Sequence, residues 1–213
     1  RLRQPHGSRS VPALFCVAPT PSFHYNSSMF RIYVERKEGF QSEAARIFSE
    51  ITGFLRIEGV TAVRYFNRYD IENTSDEVAR LAAQRIFSEP QSDQVIFDEL
   101  PVPSGATQII WEYLPGQYDQ RADSAEQCLS LLREAVKGSV KVGTEPPRVR
   151  CAKIAVIRGK VSASDIEKIQ HYLINPVDSR LASAEKPETL AMKSAEPADI
   201  QTVAGFISMD EAA

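Results

Sequence analysis

The order of its predicted elements constrains this chain more than any other sequence feature. From Met29 onward, hydrophobic periodicity predicts a strand, a helix, a strand and a helix, and the same order then occurs a second time. The stretch FRIYVE alternates apolar and polar residues, which is typical of a strand. Strands are predicted at 30–35, 61–72, 108–113 and 149–157, and helices near 42–56 and behind capping residues at Thr74, Ser124 and Ser164.

The two halves also share sequence details. VERKEG aligns with WEYLPG, and IFSEPQSD is similar to LINPVDSR when a shift of one residue brings Pro90 onto Pro176. We therefore predict an α+β fold of internally duplicated strand-helix-strand-helix units, with a pseudo-twofold axis and a mainly antiparallel sheet. The halves span about 29–95 and 106–180. A doubly wound parallel sheet is the competing topology, but no glycine-rich phosphate loop follows any strand.

The two ends of the chain differ from this pattern. Residues 1–28 contain Arg, Ser and Pro but no acidic residue, a composition typical of a transit peptide. We interpret them as a disordered leader or an upstream extension, because the regular pattern begins at Met29. Residues 181–213 are rich in Ala, Ser, Glu and Pro, and this composition predicts an extended linker toward a missing domain.

Composition narrows the possible partners and location. The net charge is −3, which does not favour a nucleic-acid partner. No apolar run is long enough to cross a membrane. The three cysteines form no disulfide framework, so a cytoplasmic location is predicted.

The sequence offers no clear catalytic constellation. It has no Gly-x-Gly-x-x-Gly and no Walker loop, and the only histidine in the regular region is His171. Cys128 and Cys151 fall at apolar positions of a helix and a strand, so buried packing is predicted for both. No histidine or cysteine spacing indicates a metal site. We therefore predict no catalytic residue, no metal and no cofactor in this chain.

A polar loop within EYLPGQYDQRADSAEQC (112–128) is the first candidate site. Its side chains could bind an anionic or sugar-like ligand, with the fork of Arg121 suited to phosphate or carboxylate. In the alternative, Asp123 and Ser124 only cap a helix, and Arg121 pairs with a neighbouring acid. The candidate residues of this loop are Gln117, Tyr118, Asp119, Gln120, Arg121 and Asp123.

A second polar cluster, Asn67-Arg68-Tyr69-Asp70, ends the second predicted strand. Arg68 and Asp70 could form a local ion pair worth less than about 1 kcal/mol. In the alternative, the cluster contacts another domain, and Tyr69 and Tyr118 are aromatic anchors of that interface.

Five separated motifs resemble one family. They are NRYDIE (67–72), IFSEPQSD (86–93), the stretch 112–128, INPVDSR (174–180) and EKPETL (185–190). Together they resemble the amino-terminal region of the large, single-chain phosphoribosylformylglycinamidine synthases, more narrowly the bacterial clostridial type. The resemblance runs from about Met29 to the end of the chain.

The resemblance implies a part of a glutamine-dependent ligase of de novo purine biosynthesis, which uses ATP and magnesium in the full-length enzyme. It implies a non-catalytic domain, similar to a pseudo-dimer of the separate small subunit, that holds the synthetase and glutaminase domains together. Those two domains are the implied partners, and self-association is possible. The matching interface or substrate-proximal positions are Asn67, Arg68, Tyr69, Asp70, Asn175 and the loop residues from Gln117 to Asp123. An independent duplicated ligand-binding or sensor module is the alternative function.

Overall fold

The computed structural model of the chain describes residues 29–140, 142 and 144–191. These residues form an α+β fold with an antiparallel sheet, which confirms the predicted fold class. None of their helices is long and apolar enough to cross a membrane. The elements are β1 (Phe30–Arg36), α1 (Ser42–Ser49), β2 (Val60–Glu72), α2 (Asp76–Arg85), β3 (Asp93–Phe97), β4 (Thr107–Tyr113), α3 (Gln120–Ala135), β5 (Arg148–Gly159), α4 (Ala163–Leu173) and β6 (Ser179–Leu181).

The strand order is β3-β1-β2-β5-β4-β6, and each neighbouring pair is antiparallel. The central pair, β2 with β5, runs from Val60 opposite Gly159 to Glu72 opposite Arg148. Outward from this pair, each half places its first strand next and its third strand at the edge. This order agrees with the predicted duplication but does not establish it, so the duplication stays a prediction.

The helices cover one face of the sheet in two groups. Helices α2 and α3 pack over Ile32, Ile71 and their neighbours on β1, β2 and β5. Helices α1 and α4 pack over Ile109 and Ile157 at the other end of the sheet. The opposite face buries a third cluster around Phe66, covered by the connection between β3 and β4 and by Ala182. Buried strand residues thus alternate between two cores, as the pleat requires.

Several boundaries differ from the sequence predictions. Strands β3 and β6 were not predicted, because both are short edge strands with little alternation. The first helix was predicted to continue to residue 56, but α1 ends at Ser49 and a π-helical turn follows over Glu50–Phe54. The third helix was predicted to begin behind Ser124 or Asp123, but Asp119 is its N-cap. Asp, Ser and Asn cap helices about equally well, so local sequence did not decide among these candidates.

The cap of α4 was also predicted at the wrong serine. Ser162, not Ser164, precedes the helix, and its Oγ accepts the backbone N–H of Asp165 at 3.1 Å. We expect Ser162→Ala to lower the free energy of unfolding by about 1 kcal/mol, because a backbone donor loses its partner. Ser164→Ala should change it by less than about 0.5 kcal/mol, because Ser164 is an exposed residue inside the helix. Urea unfolding followed by circular dichroism measures both; equal losses would contradict this assignment.

Candidate functional site

A cleft of about 500 Å³ opens on the helix-covered face, between the sheet and the amino-terminal half of α3. Its floor is the centre of the sheet, where Lys153 of β5 lies between Asn67 of β2 and Trp111 of β4 in register. Its wall is α3. The lining residues include Asn67, Tyr69, Phe87, Trp111, Glu112, Tyr113, Asp119, Gln120, Arg121, Cys128, Cys151 and Lys153.

The pleat of β2 divides the predicted cluster Asn67–Asp70 between the two faces of the sheet. Asn67 and Tyr69 line the cleft. Arg68 and Asp70 point to the opposite face and are buried there. The cluster therefore contributes to two separate environments rather than to one site.

Arg121 stands in the first turn of α3, and its Nη1 donates a hydrogen bond to the hydroxyl oxygen of Tyr69 at 3.0 Å. The alternative in which Arg121 pairs with a neighbouring acid is wrong, since no carboxylate of the described residues lies within salt-bridge distance of it. Burial raises the pKa of Tyr69, although Arg121 opposes the shift. The phenol therefore keeps its proton at neutral pH and can donate it to a further acceptor.

Lys153 and Asn67 are the other polar groups on the floor. The Nζ of Lys153 lies 5.9 Å from the ring centroid of Tyr113, and no described carboxylate is within salt-bridge distance. The carboxylate of Glu43 on α1 forms a salt bridge with Arg46 at 2.7 Å. The hydrogen bond to Arg46 is the main cause that lowers the pKa of Glu43, and the charge of Lys153 adds a smaller contribution. The Oδ1 of Asn67 is buried and has no hydrogen-bond partner among the described residues. Such an acceptor is costly to bury unpaired.

Two acidic residues, Glu112 and Asp119, belong to the lining of the cleft, and the carboxylates of both are already engaged. Glu112 binds Arg180 of β6 at 2.8 Å. The Oδ1 of Asp119 accepts the N–H groups of Arg121 and Ala122 at 3.0 and 3.1 Å, as the N-cap of α3. Among the residues that the structure describes, no carboxylate consequently forms an ion pair with Lys153 or Arg121.

Arg68 and Asp70 form a buried network with Arg31 on the opposite face. The carboxylate of Asp70 accepts from Arg31 Nε at 2.5 Å and Nη2 at 2.9 Å, and Arg68 Nε lies 3.4 Å away. All three side chains are at most 3% exposed. The predicted pair of Arg68 with Asp70 is therefore present, but it is buried and shared with Arg31, so the small energy expected of an exposed pair does not apply to it. Burial lowers the pKa of Arg68.

The segment after β6 completes this network. Arg68 Nη1 donates to the carbonyl oxygen of Ser183 at 2.6 Å, and Arg31 donates to those of Ala184 and Glu185 at 2.5 and 3.0 Å. Glu72 accepts from Leu190 N at 3.1 Å. This part of the predicted linker is docked on the sheet, and residues 192–213 lie outside the described residues.

The other predicted site residues do not reach the cleft. Gln117 lies exposed in the turn before α3, and Asn175 accepts the N–H of Val177 in the turn before β6. Tyr118 is 71% exposed and donates its hydroxyl proton to Asp123 at 2.9 Å. The structure therefore brings together only part of the predicted set, namely Asn67, Tyr69, Asp119, Gln120 and Arg121.

Sequence reasoning missed Lys153 and Trp111. A single lysine inside the otherwise apolar VRCAKIAVI was a usable signal, because central strands seldom carry an unpaired charge. Cys128 was predicted to be buried, but it is exposed, while Cys151 is buried as predicted. The buried stripe of α3 runs through Ala125 and Leu129, and Cys128 lies beside it at the cleft.

This difference between the two thiols is measurable. In a Cys16→Ser background, we expect a thiol-reactive disulfide reagent to modify Cys128 at least about ten times faster than Cys151. Burial raises the pKa of Cys151 well above its usual range, so little reactive thiolate forms even at pH 8–9. The variants Cys128→Ser and Cys151→Ser show which thiol gives the fast phase of modification and which gives the slow phase. Equal rates under native conditions would contradict the packing described for β5.

No protein family, curated protein or solved structure matches this chain in sequence or fold comparisons. Within the described ranges, no group of three or more His, Cys, Asp and Glu side chains could hold a metal ion. The family resemblance therefore depends on the five sequence motifs alone.

Proposed function

We propose that this chain is a non-catalytic amino-terminal domain of a cytoplasmic phosphoribosylformylglycinamidine synthase. In that role it supports the assembly of the synthetase and glutaminase domains and the transfer of ammonia between them. The reaction amidates formylglycinamide ribonucleotide with glutamine and ATP, and the ATP and magnesium belong to the synthetase domain. The proposal starts from the five motifs of the sequence.

One structural observation carries the proposal further. Two units of three strands each meet at the central pair of β2 and β5, with the same strand order on both sides. A pseudo-dimer of a small subunit is expected to have this arrangement, because two copies can join edge to edge into one antiparallel sheet. The arrangement supports the proposal because the resemblance implies two such halves.

The exposed start of α3 supplies a candidate contact surface. Tyr118, in the turn before α3, is 71% exposed, and its sequence neighbours Gln117, Asp119 and Gln120 are polar. Aromatic anchors inside a polar rim are common in protein interfaces. We propose that this end of α3 faces the synthetase domain.

Complementation in trans tests the assembly role. A phosphoribosylformylglycinamidine synthase without its amino-terminal domain is mixed with this chain, and glutamine-dependent and ammonia-dependent product formation are followed separately. Rescue of the glutamine reaction alone supports coupling of the two active sites. Rescue of both reactions supports completion of the synthetase fold. Absence of both rescue and binding in sedimentation contradicts the proposal.

Arg121 provides the sharpest variant for this assay. We expect Arg121→Ala to lower the melting temperature by less than about 4 °C, because one hydrogen bond to Tyr69 is lost. Rescue should fall several-fold, because the guanidinium at the start of α3 is removed from the contact. Arg85→Ala on α2 removes another exposed arginine elsewhere and should rescue normally. If Arg121→Ala simply unfolds the chain, its role is structural.

An independent ligand-binding or sensor module is the second candidate. The cleft favours it, since largely preformed concave sites with a few polar groups commonly bind small molecules. A nucleotide-induced rise in the melting temperature of the isolated chain would support this candidate over an assembly role.

A further inference from the structure

We propose that the cleft between the sheet and α3 binds a small organic phosphate monoester that also carries hydroxyl or N–H donors. The sequence predicted only an anionic or sugar-like ligand near the α3 loop. The structure adds Lys153 and Asn67 on the sheet and thereby defines two chemically distinct parts of one site. The inference depends on the cleft alone and not on the assembly role.

The charges of the cleft favour a dianion. Lys153 and Arg121 approach from different elements, and neither has a carboxylate partner among the described residues. Arg121 also lies in the first turn of α3, where the helix dipole favours negative charge. A phosphate monoester carries a charge of about −1.5 to −2 at pH 7 and therefore balances two cations better than a carboxylate does.

The hydrogen-bonding groups require more than a bare anion. The buried Oδ1 of Asn67 can only accept, and no described residue donates to it. Lys153 lies directly opposite Asn67 on β5, so a ligand phosphate on Lys153 would hold its adjoining hydroxyl or amide near Asn67. The hydroxyl of Tyr69 accepts from Arg121 and keeps its own proton for the ligand.

The size and surface of the cleft agree with an organic ligand. Its volume of about 500 Å³ is much larger than a phosphate ion needs and lies within the usual range for small-molecule sites. Phe87, Trp111 and Tyr113 supply aromatic surface beside the polar groups. This surface would contact the carbon skeleton of the ligand, as sugar rings commonly pack on aromatic side chains.

Titration calorimetry with four probes tests the proposal on the full chain. Glucose 6-phosphate carries both the phosphate and the donors, methyl phosphate lacks the donors, and glucose lacks the anion. Gluconate replaces the phosphate with a carboxylate on a similar skeleton. We expect saturable one-to-one binding of glucose 6-phosphate, about tenfold or more weaker binding of methyl phosphate and gluconate, and none of glucose.

Variants assign the binding to the cleft. We expect Lys153→Met to weaken glucose 6-phosphate binding by about 10- to 100-fold, because a charged hydrogen bond is lost. Asn67→Leu should weaken the binding of glucose 6-phosphate but leave the binding of methyl phosphate unchanged. Lys168→Met is the matched control, because it removes one positive charge from the exposed face of α4. If Lys153→Met does not fold, Arg121→Gln tests the same contact from α3.

Four results would overturn the inference. Three of them are no saturable binding of glucose 6-phosphate, equal binding by wild type and Lys153→Met, and an equal loss of binding in Lys168→Met. Tighter binding of gluconate than of glucose 6-phosphate would reject the phosphate and leave a carboxylate site. These binding measurements do not depend on complementation in trans. A failure of this inference can therefore be distinguished from a failure of the assembly role.

Discussion

Replacing Asp70 with alanine is expected to lower the free energy of unfolding by about 3–5 kcal/mol. The carboxylate is fully buried and holds Arg31 through two hydrogen bonds, with Arg68 beside it. Without Asp70, two buried guanidinium groups lose their only carboxylate within salt-bridge distance among the described residues. Backbone carbonyls of residues 183–185 remain as acceptors, but they carry no full negative charge.

Chemical denaturation of Asp70→Ala measures this loss directly. Asp76→Ala is the matched control, because Asp76 pairs with Arg80 at 2.7 Å on the exposed surface of α2. The free energy of unfolding of that variant should fall by less than about 1 kcal/mol. Similar losses in the two variants would mean that Asp70 is solvated in solution, and the buried network described here would then be wrong.

Replacing Gly159 with alanine is expected to lower the free energy of unfolding by roughly 3 kcal/mol. Gly159 has a φ of +132°, which L side chains rarely adopt. An added Cβ would lie 2.0 Å from the carbonyl oxygen of Gly59, which is a backbone atom that cannot turn away. The two glycines face each other at the end of the central strand pair, where the register shifts between Val60 and Ala62.

Gly116→Ala provides the comparison for this second variant. Gly116 also has a positive φ, +87°, but no heavy atom lies within 4 Å of the position of an added Cβ. Backbone strain alone should cost this variant about 1–2 kcal/mol. Thermal and urea unfolding of both variants separate the strain from the contact, and a smaller loss at Gly159 than at Gly116 would contradict the close approach.

Periodicity was sufficient for the long central elements of this fold. The strands β1, β2, β4 and β5 were all predicted within two residues of their ends, because their pleats separate two cores. The edge strands β3 and β6 carry weaker patterns, since one side of each lacks a partner strand in the described sheet. The π-helical turn after α1 has no periodic signal that differs from the end of an ordinary helix.

The site was harder to predict than the fold, because it depends on contacts between distant segments. Arg121 and Asn67 were singled out as polar residues, but the sequence could not show that they face the same cleft. Arg68 and Asp70 were adjacent to Asn67 in the chain, yet the pleat sends them to the other face. Lys153 completes the cleft only through the pairing of β5 with β2 and β4.

The docked segment after β6 has a consequence for how this chain can vary. Arg31 and Arg68 hold residues 183–185 by carbonyl oxygens, which every amino acid supplies. Substitutions there should be tolerated, whereas an insertion or deletion between Leu181 and Leu190 would shift the carbonyls away from both arginines. Among natural variants, residues 183–185 should therefore vary freely in composition, while the segment between Leu181 and Leu190 keeps a fixed length.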